Sequence, residues 1–195
     1  MFKVGDNTKI RGVFFWLLVF VFALSLGTVT IVAVMSFRNT IDPKGIVIHH
    51  SAVPYRNGVE LDARQLNEIH RRRGFGILCS GKMYYIGYHY VILPDGALQQ
   101  GRPENCEGAH TAGYNDYLGI CLIGDFSLED NPDGTKGPQN PTTSQLNTLE
   151  NLIRNMRLRH GIVKENIKTH RDLNPGTECP GDNFPKSDLL DRIKD

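Results

Sequence analysis

Between residues 13 and 35 the chain reads VFFWLLVFVFALSLGTVTIVAVM, 23 positions without a charged side chain. At about 1.5 Å of rise per residue, a helix of that length reaches roughly 35 Å and crosses a hydrocarbon core of about 30 Å with some tilt. No polar face recurs at helical spacing, so the run does not suit an amphipathic core helix. It predicts one transmembrane helix over 13–35. Lys3, Lys9 and Arg11 precede it, with Asp6, whereas Arg38 and Lys44 follow at a greater average distance. The positive-inside tendency therefore keeps residues 1–12 in the cytoplasm and places everything downstream on the extracytoplasmic side, a periplasm or a cell surface. Ala23 and Ser25 form the small-x-small pair of a cleaved signal peptide, but the apolar run continues past them and exceeds the usual core of about 7 to 15 residues. Residues 36–44 read as a tether in which Pro43 stops any helical continuation, leaving 45–195 as one membrane-anchored domain. A net charge of +1 argues against a nucleic-acid surface, which calls for a basic excess or stripe.

Within that domain the most informative stretch is 169–184, THRDLNPGTECPGDNF. His170 and Cys179 are joined by a loop holding Pro175, Gly176, Pro180 and Gly181, a composition suited to a rigid, non-helical connection. Such a loop can fold an imidazole and a thiolate onto one metal ion, although structural zinc sites use tighter spacings and four protein ligands. A third ligand is available at the end of 45–50, GIVIHH, where a strand of Ile46, Val47 and Ile48 delivers His49. Its neighbour His50 points to the other side of the sheet by the two-residue period, so only one of the pair can face the metal. Two His and one Cys leave a fourth position open for water.

Further elements follow in order. Asp62 with Gln65 is a capping-box pattern opening a surface helix over 62–73, with Leu66 and Ile69 as its apolar stripe and Gly74 as its stop. Arg71, Arg72 and Arg73 suit a solvated helix end. Residues 84–93, YYIGYHYVIL, alternate like a strand and turn through Pro94, Asp95 and Gly96 into a second strand at 97–100. The run LGICLI at 118–123 predicts a central strand buried on both faces, with Cys121 as a small buried hydrophobe. Residues 127–141 are rich in Pro, Gly, Asn and Asp and read as a mobile loop over the site or its rim. Residues 142–160 give the longest soluble helix, striped with Leu146, Leu149, Ile153 and Met156 and ended by Gly161. A short strand at 166–169 and a closing helix at 187–194 complete the domain.

The segments IVIHHSA at 46–52, IGYHYVILPDG at 86–96, GAHTAGYNDYLGICLIGDF at 108–126 and THRDLNPGTECPGDNF at 169–184 stand in the order of a known family. Over 45–195 the chain resembles the type 2 zinc-dependent N-acetylmuramoyl-L-alanine amidases, which share a fold with peptidoglycan recognition proteins and phage lysozyme-amidases. The resemblance implies an α/β fold with a central mixed β-sheet flanked by helices. It picks His49 over His50 and implies one zinc ion on His49, His170 and Cys179. It places Tyr88 beside the metal, to position or deprotonate the attacking water or to stabilise the oxyanion; a strand aromatic at the core edge is the plain alternative. His89 then faces away and is structural. His110 and Asn115 match a pattern whose loop approaches the substrate channel, and substrate contact and turn structure both remain open for them. Phage-type relatives carry Lys two residues before the ligand Cys; Thr177 stands here, a donor without charge.

What the resemblance implies chemically is hydrolysis of the amide joining the lactyl group of N-acetylmuramic acid to L-alanine in peptidoglycan or muropeptides. The alternative is a non-catalytic peptidoglycan-binding receptor or scaffold, as in relatives that lose the Cys ligand; Cys179 is present. A structural-zinc domain for protein contacts fits poorly with an external location, and a monomer is expected. With Cys179 on the metal, three cysteines remain, and a Cys79–Cys106 disulfide leaves Cys121 free.

Overall fold

The computed structural model describes residues 39–193 apart from 54, 57 and 58, together with Leu24 and Val29. The expected cytoplasmic segment at 1–12 and membrane span at 13–35 otherwise lie outside the described residues. Among the described residues no helix is long and apolar enough to cross a membrane.

Five strands form the central sheet: β1 (Ile46–His50), β6 (Tyr90–Ile92), β7 (Leu98–Gln100), β8 (Leu118–Leu122) and β9 (Ile167–Thr169), in the order β7-β6-β8-β1-β9. β1 runs parallel to β8 and β9, and β6 parallel to β8, while β6 and β7 form an antiparallel hairpin. Two small hairpins, β2 (Tyr55–Arg56) with β3 (Val59–Glu60) and β4 (Ile77–Cys79) with β5 (Lys82–Tyr84), lie outside it. The mixed α/β architecture is the one expected.

Side-chain alternation divides the core. Ile46 and Ile48 of β1 and Leu118, Ile120 and Leu122 of β8 pack with Leu149, Ile153 and Met156 of α2 (Thr143–His160) and with Leu189 of α4 (Lys186–Arg192). Cys121 of β8 and Val91 of β6 turn to the other face, against Leu61 and Leu66 at α1 (Ala63–Arg72). Both long helices open on reciprocal capping boxes, Asp62 with Gln65 and Thr142 with Gln145, which satisfy amides that the first turn leaves without partners. Gly161 ends α2 in the left-handed conformation, as its position predicts. Cys79 and Cys106 form the disulfide, and Cys121 is buried and free.

Three expectations change. The tether at 36–44 is not free up to Lys44: Asn39 Nδ2 donates to the Leu78 carbonyl at 2.8 Å, and Ile41 N to Asn105 O at 2.9 Å. The domain therefore begins by residue 39. The long strand at 84–93 is interrupted between β5 and β6, because the amides of Ile86 and Gly87 bond side chains instead of a neighbouring strand, whereas His89 N already donates to Gly119 O of β8 at 2.8 Å. Ile86 N donates to Asn67 Oδ1 at 3.0 Å and Gly87 N to His70 Nδ1 at 2.8 Å, both acceptors being on α1. The guanidinium of Arg102, wholly buried, donates to the carbonyls of Ile86, Phe75 and Glu107. The loop at 127–141 is tied down around buried Asn131, whose Nδ2 donates to Asp125 O at 3.1 Å and Gly137 O at 3.0 Å and whose Oδ1 accepts from Lys136 N at 3.0 Å.

Candidate metal centre

Parallel strands end together, so β1 and β9 deliver their last residues to one edge of the sheet. His49 is the fourth residue of β1 and shares its face with Cys121, its register partner on β8. His170 follows β9 directly, as the first residue of the short helix α3 (His170–Leu173) and not as part of the strand. Cys179 is carried back by the loop after α3. Arg171 N donates to Cys179 O at 2.8 Å, Thr177 N to Asn174 O at 3.1 Å, and Asn183 N to Phe126 O at 3.1 Å. Gly181, at φ +100°, lets the loop lie on the strand-end backbone: a Cβ there would stand 2.2 Å from the Phe126 carbonyl carbon.

These elements bring ligand atoms of His49, His170 and Cys179 within 4.8 Å of one another, the one such group of His, Cys, Asp or Glu among the described residues. Cys179 Sγ lies 3.6 Å from His49 Nδ1, and the His49 and His170 ring centroids are 4.7 Å apart. Burial lowers the pKa of His49 well below its ordinary value, with His110 and His170 adding to the effect, and burial also lowers that of His170. Both rings are therefore neutral at pH 7, the form that ligates a metal. Burial pushes the Cys179 thiol up to about 12, against the pull of the His50 N–H and Arg171, so without a cation it holds its proton. A soft divalent ion would displace that proton and turn sulfur into a thiolate ligand.

The surroundings sort the remaining candidates. The Tyr88 ring centroid is 5.2 Å from that of His49, and burial next to the Cys121 and Cys179 thiols raises its phenol well above 10. Thr177 Oγ1 accepts from Cys179 N at 3.3 Å. His50 is the hydrogen-bonded neighbour expected: its N–H donates to Cys179 Sγ at 3.3 Å and its Nδ1 accepts from Phe126 N at 3.2 Å. His89 is structural, fully buried between the Cys106 carbonyl and the Gly119 amide. Of the two roles left open for Asn115, turn structure is the one seen, since Oδ1 accepts from His110 N at 3.0 Å and Thr111 N at 3.2 Å. His110 packs against His49, with Nδ1 3.1 Å from His49 Nε2. The sequence does not announce Arg102 and Thr111; nothing in GRPENC or GAHT marks a buried arginine or a threonine whose hydroxyl lies 3.4 Å from His49 Nε2.

The family model described as N-acetylmuramoyl-L-alanine amidase matches residues 39–182. The endolysin of Klebsiella phage KP32 is 27% identical over 150 residues, covering 76% of this chain and 87% of its own. The N-acetylmuramoyl-L-alanine amidase of Mus musculus is 29% identical over 144 residues, 70% of this chain and 24% of its own. Among solved structures, the N-acetylmuramoyl-L-alanine amidase LysC from Clostridium intestinale superposes with a TM-score of 0.62 at 32% identity, over 78% of this chain and 86% of that one. A Drosophila PGRP-LB variant in complex with tracheal cytotoxin superposes with a TM-score of 0.57 at 29% identity, over 76% and 82%. With a family model spanning most of its length, and with His49, His170 and Cys179 grouped where they could hold a metal ion, this chain belongs to the N-acetylmuramoyl-L-alanine amidases.

Proposed function

We infer that this chain, an N-acetylmuramoyl-L-alanine amidase acting on peptidoglycan, works with a single zinc ion held by His49, His170 and Cys179. The fit is geometric. Two tetrahedral bonds of about 2.3 Å to sulfur and about 2.05 Å to nitrogen subtend an edge of roughly 3.6 Å, and Cys179 Sγ and His49 Nδ1 stand 3.6 Å apart. Neutral imidazoles with one thiolate suit zinc, and three protein ligands leave a position for water. Zinc there supplies Lewis acidity, polarising the amide carbonyl and lowering the pKa of water towards neutrality.

The chain's own groups do the rest. In the reaction water adds across the amide, its hydroxyl going to the carbonyl carbon and a proton to the departing L-alanine nitrogen. Tyr88, beside His49 with its phenol pKa raised by burial, is placed to donate a hydrogen bond to the developing oxyanion. Thr177, accepting from Cys179 N–H, has its own hydroxyl proton to offer as a second, uncharged donor. The observation that carries this reading is the convergence of the three ligand atoms at one strand edge beside Tyr88.

Metal analysis of the purified full chain, with muropeptide cleavage measured before and after chelation, tests it. About one zinc per chain and chelator-sensitive release of L-alanine-terminated peptide are expected. Binding of muropeptide without cleavage in the zinc-loaded protein would instead support the receptor alternative. The uncharged run at 13–35 and the basic residues before it support a further reading, a domain anchored in a membrane and facing the extracytoplasmic side, and the net charge of +1 gives no footing for a nucleic-acid partner. Protease digestion of the domain in sealed spheroplasts, but not in inverted vesicles, is the result expected of that orientation.

A further inference from the structure

We propose that His110 is a positioning residue, holding His49 in the one tautomer and orientation that present Nδ1 to the metal. The proposal rests on the reading that His49 carries the ion.

The argument runs inward from a carbonyl. His110 Nε2 lies 3.0 Å from Tyr117 O, and a carbonyl oxygen only accepts, so the His110 proton sits on Nε2. In a neutral ring its Nδ1 is then bare and must accept. It faces His49 Nε2 at 3.1 Å and the Thr111 hydroxyl at 3.1 Å. His49 therefore carries its proton on Nε2 and leaves Nδ1 bare, and Nδ1 is the nitrogen 3.6 Å from Cys179 Sγ. With His49 in the other tautomer, two lone pairs would confront each other at His49 Nε2 and His110 Nδ1. One backbone oxygen on the far side of His110 thus dictates which nitrogen of His49 is free.

The chain makes room for this ring. A Cβ at Gly119, on β8, would lie 2.4 Å from His110 Cδ2, and a Cβ at Gly108 2.5 Å from the same atom. No residue larger than glycine fits at either place while His110 stays where it is. Asn115 fixes the backbone at 110 and 111 through its side-chain oxygen, and Thr111, 3% exposed, has its hydroxyl 3.4 Å from His49 Nε2 as well.

The test compares the full-length parent with His110→Leu and His110→Gln, measuring zinc affinity by chelator competition, thermal melting of the metal-free form, and imidazole nitrogen shifts by NMR. Leucine removes the acceptor at similar volume; the glutamine amide can accept from His49 and donate to Tyr117 O. Zinc binding roughly 10- to 100-fold weaker in His110→Leu is expected, with melting of the metal-free form lowered by the unpaired Tyr117 carbonyl and His49 N–H, and with both melting and most of the affinity restored in His110→Gln. In the parent, His110 should show Nε2 protonated and Nδ1 bare. Parent-like zinc affinity in His110→Leu, or an Nδ1-protonated His110, overturns the proposal while leaving the amidase reading intact. A parent that binds no zinc overturns the metal reading and this one with it. Should His110→Leu fail to fold, the nitrogen shifts of the parent and the affinity of His110→Gln decide the matter.

Discussion

Cys179 Sγ and His49 Nδ1 face each other across 3.6 Å, although 130 positions separate them in the chain. That distance suits a thiol–imidazole hydrogen bond in the metal-free protein and is also close to the edge of a tetrahedron around zinc. Cys179→Ser keeps the size of the side chain and removes the soft ligand. Turnover of muropeptide is expected to fall by about three orders of magnitude, the scale of a lost Lewis acid. Retained muropeptide binding, read by calorimetry on the same variant, would show that substrate recognition survives; parent-like turnover would remove the sulfur from the mechanism.

Tyr88 packs beside His49, with ring centroids 5.2 Å apart, and burial raises the pKa of its phenol. Tyr88→Phe deletes one hydroxyl and leaves the ring that packs beside His49. If the hydroxyl stabilises charge that exists only in the transition state, kcat drops about 10²- to 10³-fold while KM moves by less than about threefold. A KM effect without a kcat effect would make Tyr88 a substrate contact.

Metal affinity should depend on pH with a definite sign. The His49 and His170 pKa values are lowered, so both rings are already neutral above their ordinary titration range and release no proton on binding. The Cys179 thiol, at about 12, is protonated throughout the physiological range and must lose its proton to become a ligand. The zinc association constant is therefore expected to rise about tenfold per pH unit between pH 7 and 9, with about one proton released per ion. Chelator competition over that range, at constant ionic strength, reads the slope, and a flat profile would mean that sulfur is not the third ligand.

Arg102 supports the site from outside it. Its guanidinium is wholly buried and donates to three carbonyls, among them that of Ile86, two residues before Tyr88. Arg102→Leu would bury those carbonyls without partners, at a cost of about 3 kcal/mol or more. A fall of roughly 10 °C in melting temperature is expected for a domain of this size, and turnover should fall with it, because the Tyr88 segment loses the donor that replaces a strand neighbour. A melting temperature within a few degrees of the parent would contradict this account of the interrupted strand.

Much of the architecture could be read along the chain, because it depends on short-range rules. Alternation predicted that His49 and His50 would part to opposite faces, and they do, one towards His170 and the other towards Phe126. Capping residues located both long helices, and the unbroken apolar run of β8 marked it as a strand covered on both sides. Where prediction failed, long-range partners had taken over local groups. Residues 85–89 have the composition of a strand, yet Asn67 and His70 claim the amides of Ile86 and Gly87 and Arg102 the carbonyl of Ile86, and none of those three is adjacent in sequence.

The ligand set lies between these cases. Residue type and spacing named His170 and Cys179 as a candidate pair and His49 as a third, since a strand end and a proline-glycine loop are local facts. Which nitrogen of His49 is free is not written near His49 at all. It follows from a proton on His110, which follows from the carbonyl of Tyr117, and the three meet only because β1 and β8 lie side by side with glycine at 119. The identity of the donors is a property of the chain; the direction of their lone pairs is decided by packing, because hydrogen-bond polarity passes between side chains that touch and not between residues that follow one another.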